Sequence, residues 1–204
     1  MLVSLAACAA FVQLSVLDAE QRDWLEGYFS TSLVNLGDHP LQALVGSAFV
    51  PGDRPWPEMA AVAFAVTAAA DRFGGPGTMS IIAMGHIGGT VVSEGVLGLR
   101  ILGGQEPVSL IRLEDVGSSY LLVSALTAVV AWGVRTPVRV LAACVLLAAM
   151  PRLLDGLTAW GVPAMGHVVA MVSGVLLGRV PRCPGRATTV STPLSTVPDR
   201  PKST

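Results

Sequence analysis

Apolar residues fall into six blocks separated by short polar breaks: Leu2 to Leu17, Met59 to Ala70, Met79 to Leu99, Val116 to Val134, Val138 to Leu154 and Gly161 to Gly178. A helix needs roughly 20 residues, within a range of about 17–25, to cross a hydrocarbon core. Met79 to Leu99 and Val116 to Val134 meet that length outright. Leu2 to Leu17 is shorter and lacks the basic n-region and small-residue cleavage site of a signal peptide, so it reads as a first span whose native start is left open. Met59 to Ala70 is shorter still, at a length where a re-entrant or core helix competes with a full crossing. Val138 to Leu154 carries Arg139 and Arg152 near its ends, where long stems reach back to the headgroups. Trp56, Trp132 and Trp160 stand at block edges, where amphipathic rings favour the interface. The pattern predicts an all-α polytopic membrane bundle of about six transmembrane helices over residues 1–178. The Pro-, Ser-, Thr- and Arg-rich segment 179–204 has too little apolar surface to offset the entropy of ordering and reads as a disordered tail.

Composition agrees with a lipid environment. Charged residues make up 13% of the chain against about 25% in a soluble domain, and the mean hydropathy is +0.63. Arg179, Arg182 and Arg186 follow the last block, a cluster retained on the cytoplasmic side. Six spans then place both termini in the cytoplasm, with Arg135 and Arg139 inside, Arg100 and Arg112 outside, and an acidic loop from Asp18 to Pro57 outside. A net charge of −1 without a basic run excludes nucleic acid as a partner. Cys8, Cys144 and Cys183 are odd in number and irregularly spaced, which argues against a disulfide framework or a zinc site. Neither a metal nor another cofactor is expected.

The candidate chemistry is a hydroxyl and an imidazole. Gly117-Ser118-Ser119 opens the fourth block just after Asp115, and His167 lies in the sixth. A serine is a weak nucleophile until a base takes its proton, and histidine is the usual base near neutral pH. Against this stands the ordinary role of Ser and Thr as packing residues in membrane helices, and of a buried histidine as a group satisfied by a neighbouring carbonyl. Gly166, Ala170, Gly174 and Gly178 repeat every fourth residue, a small-residue stripe that lets helix backbones approach closely. Gly85 and Gly89 form another such pair. His86, Thr90 and Ser93 share a face beside Glu94, which suits a buried hydrogen-bonding stripe. With His167 the same groups would supply a proton or ion path, a thin one for six spans with no visible inverted repeat. No HExxH and no mid-span aspartate pair is present, since Asp115 and Asp155 stand at block edges.

"GSSY" at Gly117 to Tyr120 resembles the Gly-x-Ser-Gly element of rhomboid intramembrane serine proteases, and "AMGHVVAMVSG" at Ala164 to Gly174 resembles their sixth-helix histidine segment. "HPLQALVGSAF" at His39 to Phe49 is similar to their first-loop region. "ADRFGGPGTMSI", with Asp71, is similar to the junction of their second and third helices. The order of these motifs and the 48 residues between Ser119 and His167 carry the resemblance, which covers Leu33 to Gly178 and is nearest in style to the rhomboid-like proteins of actinomycetes. It implies Ser119 as nucleophile, with Ser118 as second candidate, and His167 as general base. Gly117 would permit close backbone approach, and the Ser119 amide would face the oxyanion. The segment "WPEMAAVAFAVTAAAD" holds neither the histidine nor the asparagine that rhomboid second helices usually contribute to that hole, and Tyr120 adds bulk where the motif has a small residue. Three functions follow. The first is a serine endopeptidase of the bacterial plasma membrane acting on a single-span membrane protein. The second is an inactive relative that binds such clients, and the third, ranked last, is a small transporter.

Overall fold

The computed structural model describes residues 9, 11–13, 15–50, 55–116 and 118–179. Most of the first expected span, Leu2 to Leu17, lies outside these residues, as do Gly117 and the tail beyond Arg179. The acidic stretch after Leu17, expected as a loop, folds into helices because it carries their start signals. Asp18 accepts from the Gln21 amide while the Gln21 side chain accepts from the Asp18 amide, a reciprocal capping box that opens α1 (Ala19–Phe29). Ser32 caps α2 (Leu33–Asp38), and Pro40 opens α3 (Pro40–Ser47) where a missing N–H is harmless.

The second and third expected spans are the two arms of one 48-residue element, α4 (Pro55–Leu102), bent at Gly74. Gly74 has φ 70° and ψ 174°, a backbone state that a side chain would strain. Pro76 follows and restarts the helix, with the Thr78 hydroxyl donating to the Gly74 carbonyl at 2.8 Å. The remaining blocks give α5 (Ser119–Trp132), α6 (Thr136–Leu153) and α7 (Val162–Gly178). Among the described residues, α4 and α6 are long and apolar enough to cross a membrane, while α5 and α7 are apolar but shorter, at 14 and 17 residues. No strand occurs among the described residues.

α5 is apolar all round, and a helix of that kind belongs at the centre of a bundle. Its residues Tyr120 to Leu126 are all buried, with α4 and α7 packed against it most extensively. Glycines permit that approach. A methyl at Gly85 would strike the Ser124 side chain, and one at Gly174 the Ser124 backbone. At Gly166 it would strike the Tyr120 ring and at Gly178 the Trp132 ring. Ala170, fully buried, packs with Tyr120 and Val123. The stripe read from the sequence of α7 is therefore its seam with α5. The carbonyl end of α5 is met by two cations. Arg72 donates to the Trp132 carbonyl and Arg139 to that of Val130, both at 2.9 Å, where the helix dipole favours positive charge. Arg139 thus serves a neighbouring helix rather than reaching only for headgroups. α6 buries only Ala142 and Leu153 and exposes Val140, Leu141 and Leu147, a surface suited to lipid.

Candidate active site

The site forms where the N-terminus of α5 meets the first half of α7. Ser118 precedes the helix as its cap and Ser119 is its first residue, so consecutive hydroxyls diverge. Ser119 Oγ lies 3.0 Å from His167 Nε2. Ser118 Oγ turns the other way and donates to Glu58 Oε1 at 2.8 Å, at the start of α4. The sequence left Ser118 as a second candidate, and the cap position separates the two hydroxyls.

The second ring nitrogen fixes the proton. His167 Nδ1 lies 2.7 Å from the Leu153 carbonyl, which can only accept. Nδ1 therefore carries the hydrogen of the neutral ring, leaving the Nε2 lone pair to accept from Ser119. The imidazole is buried while Ser119 is partly exposed, so the base is shielded and the hydroxyl is reachable. The Ser118 side chain makes no cap bond, and amides in the first turn of α5 have no intrahelical acceptor. Those N–H groups are donors available to charge developing beside Ser119. Gly117, assigned a backbone role by resemblance, lies outside the described residues.

Tyr120, expected to add bulk beside Ser119, instead points into the bundle. Its ring is 3% exposed and meets the His167 ring edge-on, with centroids 5.0 Å apart and planes at 77°. The bare backbones of Gly89 and Gly166 make room for it. Its hydroxyl donates to Asp115 Oδ2 at 2.7 Å. Desolvation raises the Asp115 carboxyl above its ordinary range, and the Tyr120 hydrogen bond acts in the opposite direction.

His86 also approaches Tyr120, with ring centroids 6.1 Å apart. Its Nε2 is 2.8 Å from the Leu44 carbonyl and 3.2 Å from Ser47 Oγ, tying α4 to α3. His86 Nδ1, Thr90 Oγ1 and both Glu94 carboxyl oxygens are buried without a hydrogen-bond partner among the described residues. No hydrogen bond there links His86 or Glu94 to His167, although both histidine rings approach Tyr120. No group of three or more metal-ligating residues occurs among the described residues.

Sequence reasoning missed the roles of Leu153, Glu58, Ser30 and Thr31. A backbone carbonyl leaves no mark in a sequence, and Glu58 stands just before the second apolar block with nothing to single it out. Ser30 and Thr31 lie in the stretch expected as a loop, where nothing marks them as partners of a segment 84 residues away.

The family model for rhomboid-like proteins matches residues 2–188, and the chain belongs to that family of membrane proteins. Neither a curated protein nor a solved structure matches it.

Proposed function

We propose, for this member of the rhomboid-like family, intramembrane serine endopeptidase activity with Ser119 as nucleophile and His167 as general base. One observation carries the reading: the serine hydroxyl faces the unprotonated nitrogen of a histidine whose other nitrogen is held by the Leu153 carbonyl. Attack of Ser119 Oγ on a scissile carbonyl passes its proton to Nε2. The resulting imidazolium keeps its Nδ1 hydrogen bond and then gives the Nε2 proton to the leaving amine. Water repeats the cycle on the acyl-serine. Free amides at the start of α5 face the oxyanion, which costs the protein no reorganisation.

The length of α5 supports a substrate that enters from the bilayer. Fourteen residues reach about 21 Å at 1.5 Å per residue, short of a hydrocarbon core of about 30 Å. A serine on the first turn of so short a central helix sits below the membrane surface yet at an open helix end, where water and a single-span segment can both arrive. With Arg179 on the cytoplasmic side, Ser119 lies toward the outer face of the plasma membrane.

One feature favours a second reading. The 55–73 arm offers no histidine or asparagine side chain to the oxyanion, and removing a single such donor typically costs about 10²–10³ in rate. A relative that retains the fold to bind single-span clients needs no such donor. Cleavage of a panel of single-span membrane proteins co-reconstituted in liposomes separates the two. Protease function predicts fragments with the native chain and none with Ser119→Ala. Crosslinking of intact clients, unchanged by Ser119→Ala and without fragments, supports the binding role.

A further inference from the structure

We propose that Asp115 is a positioning residue for the Ser119–His167 pair, joining Ser30 and Thr31 to both side chains through Tyr120. The inference rests on the protease reading above.

Asp115 stands four residues before Ser119 and is held through backbone and side chain together. Its amide donates to Ser30 Oγ at 2.9 Å. Its carbonyl accepts from the Thr31 amide at 2.9 Å and from the Thr31 hydroxyl at 3.0 Å. Ser30 and Thr31 are 0% and 1% exposed, so water does not compete for these bonds. The carboxylate then accepts the Tyr120 hydroxyl at 2.7 Å.

Tyr120 is the lever. It follows Ser119 directly on the helix, and its ring lies edge-on to His167. The ring packs against the bare backbones of Gly89 and Gly166, with Gly166 beside its hydroxyl end. Packing places the ring, and the hydrogen bond to Asp115 ties its hydroxyl to the loop before α5. With Ser118 tied to Glu58, the loop leading into α5 is anchored at both ends, and Asp115 is the anchor that also touches the support of the base. A neutral apolar residue at 115 would retain the backbone bonds to Ser30 and Thr31 and remove the phenol's hydrogen bond to the carboxylate. A conservative replacement therefore discriminates positioning from mere packing.

The test uses the full chain in detergent micelles. The rate constant for fluorophosphonate labelling is measured for Asp115→Ala, Asp115→Asn and Tyr120→Phe, alongside the imidazole resonances of ¹⁵N-histidine-labelled protein. Folding is checked by thermal unfolding. Asp115→Ala and Tyr120→Phe are expected to slow labelling by roughly ten- to a hundredfold, since small displacements of reacting groups carry penalties of that order. Both should shift the His167 ring signals. Asp115→Asn, whose amide oxygen still accepts from Tyr120, should stay within about threefold of the native rate. Native labelling rates for both Tyr120→Phe and Asp115→Ala would overturn the proposal, as would an Asp115→Asn rate as low as that of Asp115→Ala. Should the native chain fail to label at all, the protease reading falls and the ring signals alone decide. His167 resonances that move with Tyr120→Phe and not with Asp115→Asn support the positioning role, and unmoved resonances refute it.

Discussion

His167 and His86 are buried on neighbouring helices, both with rings near Tyr120, and they are wired in opposite senses. His167 gives its Nδ1 hydrogen to the Leu153 carbonyl and turns a free Nε2 lone pair on Ser119. His86 gives its Nε2 hydrogen to the Leu44 carbonyl, and its lone pair on Nδ1 meets no described donor. The same side chain is a base aimed at a hydroxyl in one place and a strut between helices in the other. Backbone carbonyls decide which, by choosing the nitrogen that carries the proton.

Exchanging the histidines for alanine tests that contrast most severely. His167→Ala should reduce fluorophosphonate labelling by at least about a thousandfold, the scale on which members of a catalytic pair fail. His86→Ala should leave labelling within about threefold and lower stability by about 1–3 kcal/mol, because α4 loses its short hydrogen bond to the Leu44 carbonyl of α3. Equal losses of labelling in two folded variants would erase the distinction.

A smaller effect is expected at the seam between the two sites. Gly166→Ala forces a methyl into the Tyr120 ring and should cost about 1–3 kcal/mol, as overpacked cores do. Gly88→Ala, where the nearest atom is 3.7 Å from the new carbon, should change stability by less than about 0.5 kcal/mol. Unfolding by graded denaturing detergent reads both, and a neutral Gly166→Ala would show that the ring is not held as described. A single hydroxyl sharpens the choice of serine. Ser118→Ala removes one hydrogen bond to Glu58, should cost about 1 kcal/mol, and should leave labelling intact.

Much of the bundle was legible because lipid imposes a length on apolar blocks. Met79 to Leu99, Val138 to Leu154 and Gly161 to Gly178 reappear as the second arm of α4, as α6 and as α7 within a few residues. The helix after Val116 begins only at Ser119, since apolar character continues through a loop that hydrogen bonds, not hydropathy, hold in place. α1 was missed because an acidic, polar segment looks like loop when only hydrophobicity is weighed, although Asp18 and Gln21 spelled out its capping box. Ser119 and His167 were paired through motif order, and the structure places the two side chains 3.0 Å apart. The contacts that distinguish His167 from His86 could not be, because Leu153 and Leu44 act through their carbonyls and any residue supplies one. Tyr120 was misjudged for a related reason: its size was visible, but the space left by Gly89 and Gly166 depends on how three helices cross.

The most direct test of the central claim is to label the native chain with a fluorophosphonate and locate the adduct by mass spectrometry, in parallel with His167→Ala and His86→Ala. The account predicts a single adduct on Ser119 that vanishes with His167→Ala and persists with His86→Ala. An adduct on Ser118, or no adduct on protein shown to be folded, would contradict it.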